Sequence, residues 1–212
     1  MTAERAAEMA KLEAEVRSCP LCDLCKTRKK AVPGEGPIDA DIMFIGEGPG
    51  YHEDQQGRPF VGNAGRLLEQ ALASIQMERK QVYITNVVKC RPPENRDPEP
   101  EEIAACAPYL ERQLALIRPK VVVTLGRFSM ARFFPGATIS RIHGQAKQIG
   151  DTFYIPMFHP AAALRTQAVM TAFMADFLKI PELLAQARQA RSAGQSGPKL
   201  EEEAPVQLGL FD

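Results

Sequence analysis

A carboxylate set among glycines, Gly46-Glu47-Gly48-Pro49-Gly50, stands directly behind the apolar run Ile42-Met43-Phe44-Ile45. An unbroken apolar run reads as a strand buried on both faces of a parallel sheet, and ligands in such sheets collect beyond the carboxyl ends of the strands. Small residues there let the backbone approach a substrate closely. Glu47 is therefore a candidate catalytic group, although a tight turn carrying a solvated Glu has the same composition. Pro49 and the spacing exclude a G-x-G-x-x-G dinucleotide loop. Other reactive groups close other apolar runs. Asn86 ends one, and its planar amide, donor beside acceptor, suits the edge of a pyrimidine. Gly126-Arg127 ends the next, and Phe158-His159-Pro160 ends a fourth and leads to Arg165. Phe60 lies between breakers in Gly57-Arg58-Pro59-Phe60-Val61-Gly62. Singly, Asn86 could cap a turn, Phe60 could be core and His159 a satisfied histidine. Collected at one rim, a carboxylate, an amide, an imidazole, an aromatic face and an arginine outline a base-binding pocket.

The cysteines offer a second chemistry. Cys19 and Cys22 form a C-x-x-C, Cys25 follows, and Cys90 and Cys106 lie far downstream. Residues 1–17 alternate charge with Ala, Met and Leu at helical spacing and lack the apolar core of a signal peptide. No segment approaches transmembrane length, so no membrane partner and a cytoplasmic, nucleoid-associated location are expected. Disulfides are unfavoured there, which makes metal or cluster binding the leading use of the thiols. Two distant pairs can close one four-thiolate site, with one cysteine surplus. Zinc and an iron-sulfur cluster both accept such a site, and buried free thiols are the duller alternative.

The elements that must position these groups follow from periodicity. Apolar runs at 41–45, 81–88, 120–125 and 153–158 predict four strands. Helical spacing over 63–75, 100–117, 127–134 and 168–187 predicts helices between and after them. Strands alternating with helices imply βαβ units, hence an α/β fold: a three-layer α/β/α sandwich around a mostly parallel four-stranded sheet. The chain has 212 residues with 26 basic and 26 acidic side chains, enough for one domain over 1–188 and a tail over 189–212. Balanced charge leaves a local basic face possible.

Five motifs carry a resemblance to a known family: Gly46-Glu47-Gly48-Pro49-Gly50, Gly57 to Gly62 as given above, Tyr83-Ile84-Thr85-Asn86, Lys89-Cys90-Arg91-Pro92-Pro93, and His159-Pro160 through Arg165. Over 19–184 the chain resembles the family 4 uracil-DNA glycosylases, the branch with a four-iron, four-sulfur cluster. The resemblance implies Cys19, Cys22, Cys90 and Cys106 as ligands of a structural 4Fe-4S cluster, with Cys25 outside the set. It implies hydrolysis of the N-glycosidic bond of uracil in DNA, with the nucleotide flipped out of the stack. Phe60 would stack on the ring, Asn86 would hold N3 and O4, and His159 would donate to O2. Gly46 and Gly48 would line the pocket, and Glu47 or the backbone at Gly48 would position the water. Arg165 would press into the minor groove. Lys29, Lys30 and Arg141, with Lys26 and Arg28, could contact phosphates, although a solvated basic turn reads the same way. Asn95 is a further candidate for pocket or backbone contacts.

Ser140-Arg141-Ile142-His143-Gly144 departs from the simplest pattern, because a related cluster-bearing branch uses a histidine in this loop to bond covalently to the abasic sugar. Gly48 stands where that branch has Gln, so ordinary turnover is the expectation and covalent capture by His143 the alternative. A non-catalytic iron-sulfur or zinc nucleic-acid-binding protein is a further alternative. The stretch 190–206, rich in Ser, Gly, Pro, Gln and Glu, reads as a flexible linker. It ends in Gln207-Leu208-Gly209-Leu210-Phe211, similar to the peptide by which bacterial repair proteins dock on the sliding clamp. A monomer is the default expectation.

Overall fold

The computed structural model describes residues 2–195, with side chains over 3–190. Helix α1 (Thr2–Ser18) and the short α2 (Leu24–Thr27) lead into β1 (Ile42–Gly46), after which come α3 (Tyr51–Gln56) and α4 (Asn63–Ser74). Strand β2 (Tyr83–Asn86), α5 (Pro100–Ile117), β3 (Val121–Leu125), α6 (Arg127–Ala131) and α7 (Ile139–Ile142) follow. The chain continues through β4 (Lys147–Ile149), β5 (Thr152–Met157), α8 (Pro160–Ala163), α9 (Gln167–Phe177) and α10 (Ile180–Gln195).

The sheet order is β2-β1-β3-β5-β4, parallel except where β4 pairs antiparallel with β5. Successive side chains of a strand point to opposite faces, and β1 accordingly feeds two cores. Ile42 and Phe44 join α4, α9 and α10 on one face, and Met43 and Ile45 join α1 and α5 on the other. Phe44 stacks on Phe177 at 5.6 Å. Helices on both faces of a mostly parallel sheet make the expected α/β sandwich.

Two expectations need correction. The sheet has a fifth strand, β4, which is exposed at every position. Such a strand presents no apolar run, and Lys147 suits an exposed edge. The single helix expected over 168–187 is two, because Pro181 lacks an N–H and its ring would meet the carbonyl of Phe177 in a continuous helix. The second of these, α10, runs through Gln195. The docking peptide Gln207, Leu208, Leu210 and Phe211 lies outside the described residues.

Candidate active site

The chain runs from central β1 outward to β2 and then returns to β3 on the other side, so the order reverses between β1 and β3. Ligands bind at such a point because the loops diverge and leave a crevice. A cavity of about 540 Å³ opens there, a size suited to a small ring compound. Its walls come from each parallel strand end: Glu47 after β1, Asn86 from β2, Arg127 after β3 and His159 after β5.

Asn86 is 1 % exposed, and its Oδ1 has no hydrogen-bond partner among the described residues. A buried acceptor without a partner costs about 1–3 kcal/mol, so it marks a place where a ligand donor belongs. Gly46 makes room for it. A Cβ on Gly46 would stand 2.4 Å from Asn86 Oδ1 and 2.6 Å from Phe60 Cζ. Gly46→Ala is therefore expected to push the amide and the ring apart and reduce uracil release at least about tenfold. A melting temperature within a few degrees of the parent would locate the loss in the pocket, and an unimpaired rate would show the fit to be loose.

Phe60 is buried, and its backbone takes a left-handed φ of 49°, costly for an aromatic residue. Arg79 Nη1 holds the Phe60 carbonyl at 2.9 Å, and Arg79 Nη2 holds that of Pro59. Glu35 pairs with Arg79 at 3.0 Å. Glu53 Oε1 accepts from the Val61 and Gly62 amides at 2.9 and 3.0 Å. Gly65 of α4 lets the helix close on this turn, since a Cβ there would fall 1.9 Å from the Phe60 carbonyl oxygen.

His159 packs 5.7 Å from the Phe60 ring. Burial lowers its pKa to about 4, so the imidazole is neutral at physiological pH. Its Nδ1 accepts from the Ala161 amide at 3.1 Å, which leaves the proton on Nε2 and makes that nitrogen a donor. Gly126, at φ 92°, lets the end of β3 approach, since a Cβ there would lie 3.2 Å from His159 Cβ. Glu47 is half-buried, and burial first, the Asp97 carboxylate second, raise its pKa against the opposing Arg127. Arg127 is paired with Asp97 at the rim.

Arg165 and Asn95 both line the cavity. Lys29 and Lys30 are exposed, with Lys29 Nζ donating to Gln55 at 2.6 Å, and Arg141 is exposed on α7. Arg28 turns inward and donates to Cys90 Sγ at 3.2 Å and to the Cys19 carbonyl at 2.7 Å. His143 is engaged elsewhere: its Nδ1 lies 2.7 Å from buried Asp176, its ring is 4.7 Å from Phe158, and it is not part of the cavity wall. That arrangement disfavours covalent capture by His143.

Sequence reasoning gave no role to four residues in or around the cavity. Arg79 and Glu53 act only through folded contacts and carry no local signal. Lys89 reads as a surface residue yet is buried. Leu164 is 49 % exposed beside Arg165.

Cys19, Cys22, Cys90 and Cys106 line one small void between α1, α5 and the segment after β2, and Cys25 does not. None of the five cysteines is in a disulfide. Among the described residues no group of three or more His, Cys, Asp or Glu side chains is placed to hold a metal ion. No described helix is long and apolar enough to cross a membrane.

A model of the uracil DNA glycosylase superfamily matches residues 33–180. A type-4 uracil-DNA glycosylase of Sulfurisphaera tokodaii is 48 % identical over 185 residues, covering 82 % of this chain and 84 % of the relative. One of Archaeoglobus fulgidus is 48 % identical over 178 residues, covering 80 % and 89 %. A third, of Saccharolobus solfataricus, is 47 % identical over 180 residues, covering 80 % and 83 %. With the family match spanning every wall of the cavity, the chain belongs to the uracil-DNA glycosylase superfamily, alongside its type-4 members.

Proposed function

We propose that the chain excises uracil from DNA by hydrolysing the N-glycosidic bond and leaves an abasic site for repair. The observation that carries the reading is the unpartnered Asn86 Oδ1, set beside Phe60 and His159 in one cavity. Uracil N3–H is a donor and O4 an acceptor, matching the two ends of the amide, whereas cytosine presents the reverse and leaves both ends unpaired. Phe60 stacks on the ring. As the bond breaks, negative charge gathers on the base and positive charge on the sugar. His159 Nε2–H donates to O2 as that charge develops, and its neutrality means that it stabilises the anion through a hydrogen bond without delivering a proton. Glu47 faces the sugar side, where its carboxylate favours the cation and orients the attacking water.

A consequence is readable in the pH profile. Glu47 must be ionised, and its raised pKa puts the acid limb above the usual carboxylate range, before His159 gains its proton near pH 4. Single-turnover rates of Glu47→Gln should be slower and should lose the Glu47 limb, keeping only the fall that His159 brings near pH 4. An unshifted limb in that variant would remove Glu47 from the role.

Leu164 and Arg165 would fill the space left by the flipped nucleotide, and Lys29, Lys30 and Arg141 would contact phosphates. The four cysteines of the void would hold a 4Fe-4S cluster. Four thiols lining one shared void support a four-thiolate site of this kind. Such a cluster would supply cross-linking between α1, α5 and β2 and no step of the hydrolysis. The C-terminal peptide would tether the enzyme to a clamp on DNA in the cytoplasm.

One experiment tests the reading: alkali-labile breaks at uracil in an oligonucleotide, assayed beside the absorption of the protein near about 400 nm. Breaks at uracil with a brown chromophore are expected. A colourless, active protein would sink the cluster alone, and a protein inert on uracil would sink the activity.

A further inference from the structure

Lys89 is 1 % exposed, and its ammonium is spent on three neutral oxygens. They are Thr85 Oγ1 at 2.6 Å, the Asn86 carbonyl at 2.7 Å and Gln113 Oε1 at 2.7 Å. An ammonium has three donors, so all are used, and no carboxylate is among the partners. Such a buried cation is costly, and a well-packed apolar side chain would often serve stability as well or better. Its acceptors are held in turn. Gln113 Nε2 donates to the Pro33 carbonyl at 2.7 Å and to Tyr83 Oη at 3.1 Å, and Thr85 Oγ1 donates to Pro33 at 2.8 Å. On its other side, the Lys89 amide donates to Cys106 Sγ at 3.3 Å.

Asn86 needs such support. It is the last residue of β2, paired with Gly46 at the end of the ladder. Its free Oδ1 makes no bond that would set the amide plane. What fixes that plane is the peptide to which the side chain is attached, together with the walls made by Gly46 and Phe60. A recognition group must be held within about 10–20° of its working orientation.

We infer that Lys89 is a positioning residue for uracil recognition, its ammonium fixing the Asn86 peptide, and so the reading amide, against the cysteine layer. The inference rests on the uracil-excision reading and deepens it, tying the specificity of the pocket to a residue that touches no substrate.

The test is a double-mutant cycle in the full chain, with Lys89→Met, Asn86→Ala and the pair compared for kcat/KM of uracil release and for inhibition by free uracil. Lys89→Met should lose about 10- to 100-fold in kcat/KM, the range of a charged hydrogen bond, with free-uracil inhibition weakened in parallel. The pair should be no slower than Asn86→Ala alone, and the absorption near about 400 nm should match the parent. Losses that multiply, or a Lys89→Met rate within about twofold of the parent, overturn the inference. Should Lys89→Met fail to fold, Gln113→Leu and Thr85→Val each remove one acceptor, and the same non-additivity with Asn86→Ala is required of them. A parent chain inert on uracil would instead overturn the functional reading, and this inference with it.

Discussion

Asn86→Asp should lower kcat/KM for uracil release about a thousandfold, the scale expected when a buried polar reader no longer matches its ligand. On the proposed reading, the parent amide offers Oδ1 to uracil N3–H and its NH₂ to O4. A carboxylate in its place is acceptor-only, so O4 meets an acceptor where it needs a donor. Its charge also opposes the negative charge that gathers on the base as the bond breaks, and the repulsion is felt in a buried site with little solvent screening. If the new carboxyl is protonated instead, its single O–H must serve in place of an NH₂, with altered direction and reach. The fold has little to lose, because Asn86 Oδ1 makes no internal hydrogen bond. Affinity for undamaged DNA should therefore stay within about twofold of the parent while single-turnover cleavage at uracil collapses. A loss smaller than tenfold would mean that the uracil edge is read elsewhere.

His159→Ala should reduce the chemical step by about 10²–10³, the cost of removing one preorganised donor from a developing oxyanion. The effect should fall on kcat and leave KM nearly unchanged, since O2 carries full charge only as the glycosidic bond parts. Preorganisation is visible in the resting protein. The Ala161 amide occupies Nδ1, so the ring needs no tautomer change to present Nε2–H. His159→Gln, which retains a donor, should recover part of the loss, whereas Leu at the same position should not. A rise in KM with unchanged kcat would assign His159 to ground-state binding.

The architecture was legible where local and tertiary preferences agree. Helix α5 has Pro at its first position, acidic residues in its first turn and a regular apolar stripe, and it forms over the expected Pro100–Ile117. Strands β1 and β3 are buried throughout, as their unbroken apolar runs implied. The break at Pro181 was missed because helical spacing continues on both sides of it, and period alone does not register a lost donor. β4 was missed because an exposed edge needs no apolar pattern. In the cavity wall, strand ends pointed to Glu47, Asn86 and His159 and the breakers to Phe60, because these positions close elements whose ends open on one crevice. Arg79 and Lys89 work through carbonyl groups brought near only by folding, and a lysine gives no sign in sequence that its charge will be buried. The four-cysteine grouping was implied by the resemblance, and those four line one void that Cys25 does not touch.

The left-handed backbone at Phe60 sets local strain against core packing at a single position. Glycine there would relieve about 1 kcal/mol of backbone strain but would empty the place of a buried ring in the core, at a cost of about 3–5 kcal/mol. Variants chosen only for endurance to heat would thus keep the ring, and the Arg79 clamp is what holds the less comfortable conformation in place.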